Sequence, residues 1–151
     1  MPEPTAHDAF VAAWMERATA GRSQRQLVEL LELALNELYR TARKTLGDVT
    51  LAAIVDRVLF TAAGRHAFLG KLTFEASTIS CEKLLESTHP PDEASTKDGL
   101  RFVIAEFLTV LGNLTAEILT PAFHAELSKL EELPPHAQPE GSRIAGEAKD
   151  K

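Results

Sequence analysis

The sequence predicts an all-α fold: a single-domain bundle of four to five helices over residues 1–133, with a loop-rich connection between residues 70 and 97 and a disordered tail over 134–151. Three observations predict it. Apolar residues recur at steps of three and four along most of the chain, the period of a helix with one buried face. Cap-forming residues and glycines punctuate these stretches where helices start and stop. The chain is 44% hydrophobic but only 6% aromatic, so its core is built from Leu, Ala, Val and Ile, which suit close helix-on-helix packing. A length of 151 residues matches one domain, by the usual range of about 100–200 residues.

The elements follow in order. Thr5 and Asp8 form a capping pattern ahead of Phe10, Val11, Trp14, Met15 and Ala18, an apolar stripe that Gly21 terminates. Ser23 and Gln26 repeat the pattern ahead of a long apolar face, Leu27, Leu31, Ala34, Leu35, Leu38, Ala42 and Leu46. Acidic residues come early in this second helix and basic ones late, as the helix dipole favours. Gly47 ends it and Asp48 is expected to cap the third helix. Leu51, Ile54, Val55, Val58, Leu59 and Ala62 carry that helix to a stop near Gly64, with a short turn over 65–71. Residues 73–80 read as an irregular or extended connector without a sheet, because a lone strand has no partner. Ser80 can cap a short helix through Glu82, Leu84, Leu85 and Glu86; His89-Pro90-Pro91 then breaks the chain, and polar residues through Thr96 form a loop. From Asp98 to about Leu130 the pattern is helical again. Pro121 forces a kink or a restart, the latter with Thr120 as cap. The segment 134–151 holds three prolines, two glycines and few large apolar residues.

Composition narrows the function classes. The net charge is −6 and the sequence pI about 5.4, which argues against nucleic acid and anionic membranes, because both are bound through basic faces. A single cysteine, Cys81, forms no intramolecular disulfide and fits a reducing compartment. The N-terminus lacks the basic start and apolar run of a secretory signal, and the most apolar stretch, 102–114, is too short to span a bilayer. A cytoplasmic location follows as the expectation.

Few residues suggest chemistry. Glu106, Thr109, Asn113, Glu117, Thr120 and His124 fall at steps of three or four, which on one continuous helix sets them on one face. Glu106, Asn113, Glu117 and His124 are therefore a candidate polar site for a ligand or metal, set against the alternative of a solvent-facing edge. Paired Glu-x-x-His motifs of di-iron bundles are lacking, and no metal or other cofactor is expected. Cys81 has no Cys or His neighbour at zinc-ligand spacing; near a helix start it is either a reactive thiol or a buried inert one. Nucleotide-binding loops and nucleophile elbows are also lacking, so no catalytic residue is assigned and the chain reads as non-enzymatic.

Two short stretches resemble phosphotransfer motifs. Asn113-Leu-Thr-Ala116-Glu117-Ile-Leu-Thr120-Pro121 partly resembles the phosphoacceptor box of histidine kinases, with Ala116 where that family has its phosphorylated His. His66-Ala-Phe-Leu69-Gly70-Lys71 resembles the His box of histidine phosphotransfer domains, with Leu69 in place of the Lys. That resemblance implies His66 as phosphoacceptor; the residues themselves read rather as a capping or surface histidine.

The second helix supplies the leading reading. Leu27, Leu30, Leu31, Leu33, Leu35 and Leu38 cover more than one stripe, so this helix either lies wholly in the core or faces its own domain on one side and a partner on the other. Leu27, Leu30, Leu31, Leu35 and Leu38 are the candidate interaction residues. The expected function is a signalling or adaptor module that binds a protein partner, or itself, through helix–helix contacts. A ligand-binding or phosphotransfer bundle is the alternative, and a DNA-binding regulator built on Leu51–Leu72 is the third.

Overall fold

The computed structural model describes residues 6–87 and 91–131 and is a helical bundle. Helix α1 spans Ala6–Ala18, α2 Gln24–Leu46 and α3 Asp48–Arg65. A 3-10 turn, Ala67–Lys71, leads into a hairpin of β1 (Thr73–Glu75) and β2 (Thr78–Ser80). The single-turn α4 (Glu82–Leu85), α5 (Glu93–Leu114) and α6 (Thr120–Glu131) complete it. The expected tail, Thr5 and His89-Pro90 lie outside the described residues.

Helix α2 is the centre, and α3, α5, α6, β2 and α4 all pack against it. Its start has the reciprocal capping box expected: Ser23 Oγ accepts from the Gln26 N–H, and Gln26 Oε1 accepts from the Ser23 N–H. Nine of its residues are buried, on an arc of roughly half the helix circumference at 3.6 residues per turn. That arc contains Leu27, Leu30, Leu31, Leu35 and Leu38, each at most 1% exposed. The five leucines thus belong to the core, while Leu33, on the opposite side of α2, is 41% exposed. Helix α6 lies across α2 and α1, fixed by the buried Trp14 Nε1–H donating to the Leu127 carbonyl (2.6 Å) and by Arg17 pairing with Glu131 (2.7 Å).

Four local expectations are corrected. Asp48 is the first residue of α3 and does not cap it; its carboxylate instead accepts from Tyr39 Oη (3.0 Å) and pairs with Arg43 (3.0 Å) across the Gly47 turn. Helix α5 starts five residues earlier than Asp98, because Asp92 is the N-cap and accepts from the Ser95 N–H at 2.7 Å. Thr96, expected in a polar loop, is fully buried, its hydroxyl bonded to the Asp92 carbonyl and receiving the Gln24 amide. The connector at 73–80 does form a sheet. Its strands pair antiparallel with Phe74 opposite Ile79, turning through Ala76 (φ 53°) and Ser77 (φ 63°). Positive φ is unusual for both residue types, and no Gly or Asn marks the turn.

The hairpin is held from outside. Opposed residues in an antiparallel pair alternate between bonded and non-bonded sites, and at the latter the backbone groups point away from the partner strand. At Ile79 the Asn36 side chain meets both: its Oδ1 accepts from the Ile79 N–H and its Nδ2 donates to the Ile79 carbonyl, each at 2.9 Å. Glu32, one turn earlier on α2, accepts from the Cys81 N–H at 2.9 Å. Ile79 fills the core, and the Phe74 ring lies 5.5 Å from that of Tyr39. Asn36→Ala therefore unpairs two backbone groups. The expected cost is about 1–3 kcal/mol in denaturant unfolding, with hydrogen-exchange protection lost at residues 73–81 before α2.

Candidate functional site

The polar residues predicted on one face of a continuous helix are divided by a chain reversal. Helix α5 ends at Leu114, and its last turn closes with the Glu117 N–H on the Gly112 carbonyl (2.7 Å) and the Ala116 N–H on the Asn113 carbonyl (3.5 Å). This is the bonding of a Schellman motif, whose left-handed residue is normally Gly. Here Ala116 takes it at φ 52°, and Glu117 follows at φ 63°. The chain then restarts as α6 at Thr120, with Pro121 in its first turn, where its missing N–H is no loss. The single stripe expected from Glu106 to His124 therefore does not exist: Glu106 and Asn113 stay on α5, while Glu117 and His124 turn toward α1.

There they meet His7, which the sequence reading did not single out. His7 Nε2 lies 2.9 Å from Glu117 Oε1, and the Thr120 hydroxyl donates to the same oxygen. The His124 ring stacks on Phe10, with centroids 3.7 Å apart and planes 4° apart, and stands edge-on to His7 at 6.0 Å. Gly112 makes this approach possible: a Cβ there would fall 2.6 Å from Glu117 Oε1 and 2.8 Å from His7 Nε2. The His7 side chain is 8% exposed and that of Glu117 52%. Neither Glu106 nor Asn113 has a hydrogen bond or ion pair to this cluster among the described residues.

The electrostatics favour a neutral imidazole at His124. Burial, and secondarily His7, push His124 below the ordinary imidazole range, with Glu117 opposing. The Thr120 hydroxyl, then His7 and His124, hold the Glu117 carboxyl below the usual carboxylate range against partial desolvation. A carboxylate only accepts, so His7 Nε2 is the donor in this hydrogen bond. His7 Nδ1 and His124 Nε2 are both buried without a hydrogen-bond partner among the described residues. The cluster ties the start of α1 to the α5–α6 reversal. It contains no Ser or Cys nucleophile, and among the described residues no three His, Cys, Asp or Glu side chains are placed to hold a metal ion.

The other candidates resolve individually. His66 is the residue at which α3 ends and the 3-10 turn begins, half-buried with its ring 5.9 Å from Phe68 and 6.0 Å from Phe102. Arg65 covers the Phe102 ring at 4.9 Å, and Phe68 presses on Gly99, where a Cβ would be 2.5 Å from its Cζ. His66 thus belongs to a packed aromatic corner, away from any mid-helix exposed position of the kind a phosphoacceptor needs. Cys81 is fully buried, and burial, then Glu32, push its thiol up to about 12, so it is inert. A groove of about 370 Å³ separates α1 from the start of α5, over Ala12, Met15 and Thr19. The basic residues on its wall, Lys97 and Arg101, pair with Glu93 (3.1 Å) and Asp98 (3.6 Å) of their own helix.

Exposed apolar surface lies elsewhere than the sequence placed it. The most exposed large apolar side chains of the described helices are Val49 (87%) and Phe60 (82%), both on α3, with Leu33 on the outer side of α2 less so. At 100° per residue, Val49, Ala53, Phe60 and Gly64 share the outer face, opposite the buried Leu51, Val55, Val58 and Ala62. Asp56 and Arg57 flank that face on its two sides, and neither has an ion pair among the described residues. Leu114 and Ile118 form a smaller exposed pair at the α5–α6 reversal. Among the described residues no helix is long and apolar enough to cross a membrane. Comparison with known protein families, with curated protein sequences and with solved structures found no match.

Two predictions follow from the reversal and its cluster. Ala116→Gly removes a left-handed non-glycine residue, whose cost is about 1–2 kcal/mol, against a smaller gain in unfolded-chain entropy; the denaturant midpoint should rise. For His124, an imidazole held below its ordinary value binds fewer protons than in the unfolded chain, so stability falls as pH drops through about 6.5 and below. The low Glu117 value acts in the same direction at more acid pH. His124→Phe keeps the ring stack and should flatten the loss of thermal stability between neutral and mildly acid pH, as read by melting curves; an unchanged slope would exclude His124 as its source.

Proposed function

We propose that this chain is a non-enzymatic interaction module that works through helix–helix contact, and that its contact surface is the outer face of α3. The observation that carries this reading is the exposure of Val49 and Phe60 on the same side of one helix, in a domain that has buried its other long apolar stripes. Scattered exposed apolar residues are ordinary on any protein surface; two large ones aligned with Ala53 and Gly64 along about four turns make a stripe of the kind that pairs with another helix. Gly64 supports it. It lies in the last turn of α3, one residue before the end at Arg65, and nothing stands within 4 Å of the Cβ it lacks. The open space there leaves room for the backbone of a partner helix to approach.

The polar cluster supports the same reading from the other side. His7, Glu117 and His124 are mutually engaged and partly buried, which suits a structural tie between α1 and α6 better than an open reaction centre. The test is site-specific photocrosslinking in the native cell. A photoreactive phenylalanine analogue at Phe60 should give a discrete protein adduct that Val49→Glu removes, while the same probe at Lys83, exposed on α4, gives none. Lack of an adduct from Phe60, in a chain that folds normally by circular dichroism, would overturn the proposal.

A further inference from the structure

We propose that the occupant of the α3 outer face is the same face of a second copy, with the two α3 helices running parallel about a twofold axis along them; this rests on the reading of α3 as the contact surface. The argument is one of charge placement. Around the helix axis Phe60 and Ala53 lie near the middle of the exposed arc, Asp56 about 50° to one side and Arg57 about 50° to the other, by the 100° step per residue. A twofold axis parallel to the helices exchanges the two flanks, so Asp56 of each copy meets Arg57 of the other, twice per dimer. This is the flank pairing of parallel two-stranded coiled coils. A twofold axis perpendicular to the helices keeps each flank on its own side, and sets Asp56 against Asp56 and Arg57 against Arg57. The antiparallel arrangement is therefore disfavoured by the residues that favour the parallel one.

The central positions fit the same geometry. In parallel register Val49 meets Val49 and Phe60 meets Phe60, while Ala53 and Gly64 let the two backbones approach. The side chains of Asp56 and Arg57 have no partners within their own domain among the described residues, so pairing them across an interface sacrifices no existing ion pair. Such an interface is isologous and closes at two copies.

The experiment uses the full chain. Sedimentation analysis over a wide concentration range should show reversible conversion of the 16.5 kDa chain to a species of twice that mass, lost in Phe60→Glu. Asp56→Arg replaces two exposed ion pairs by two like-charge contacts and should weaken association by about tenfold; adding Arg57→Asp restores the pairing and the affinity. Ala53→Cys should give a covalent dimer on mild oxidation, since parallel register sets the two introduced thiols face to face and buried Cys81 does not compete. A chain that stays monomeric at all concentrations while the Phe60 probe still captures another protein would overturn self-pairing and leave the α3 surface standing. A monomer with no adduct would remove both. A dimer that ignores Asp56→Arg and leaves Ala53→Cys uncrosslinked would also overturn the proposal, because it uses another face or the antiparallel arrangement.

Discussion

Burial of the apolar half of α2 is the constraint on which the rest of the structure depends. A helix whose side chains are buried over half its circumference needs neighbours on several sides, and the chain supplies them with α3, α5, α6 and the hairpin. Each buried leucine contributes about 1.5–3 kcal/mol of transfer free energy, so Leu27, Leu30, Leu31, Leu35 and Leu38 together outweigh any polar contact in the molecule. The polar groups of α2 then act locally. Asn36 and Glu32, at the edge of the buried arc, turn toward the backbone of β2 and its exit at Cys81, and so convert an unremarkable connector into a docked hairpin.

The need to cover α2 also accounts for the α5–α6 reversal. A continuous helix from α5 onward would carry Phe123, Leu127 and Leu130 away from the bundle. Turning through two left-handed residues costs backbone energy, but it lays those three side chains on α2 and α1 and lets Trp14 reach the Leu127 carbonyl. The His7–Glu117–His124 cluster is a consequence of that turn. It closes the seam where the start of α1 meets the reversal, and the missing side chain at Gly112 leaves room for it. Helix α3, by contrast, packs on α2 and α5 with one face, and among the described residues nothing covers the other. That asymmetry leaves Val49 and Phe60 exposed on its outer side.

Much of this fold was legible in the chain. The stripes of α1, α2 and α3, the capping box at Ser23 and Gln26, the stop at Gly21, the break at Gly47 and the restart at Thr120-Pro121 are all local signals, each set by side chains within a few positions of one another. The hairpin was not legible because its turn uses Ala76 and Ser77 and its stability comes from Asn36, 43 positions away. The early start of α5 was obscured because Ser95 and Thr96 are turn-formers by composition, and only contact with Gln24 makes Thr96 a buried residue. Half of the polar cluster, Glu117 and His124, was visible as residues but with the wrong geometry. His7 was detectable as the one imidazole in line with the α1 apolar stripe, four residues before Val11 and seven before Trp14.

What local residue patterns decided, then, is the class of fold and the identity of each long helix, because hydrophobic period and capping act over one or two turns and need no partner to be read. They also established which side of each helix turns inward. Which inward face is the centre, and which outward face is left bare, depended on tertiary packing. Apolar periodicity alone does not distinguish a stripe that finds cover within its own domain from one that does not. The apolar stripes of α2 and of α3, on Leu51, Val55 and Val58, look alike as spacing, and only the arrangement of the helices made α2 the centre and left Val49 and Phe60 of α3 exposed.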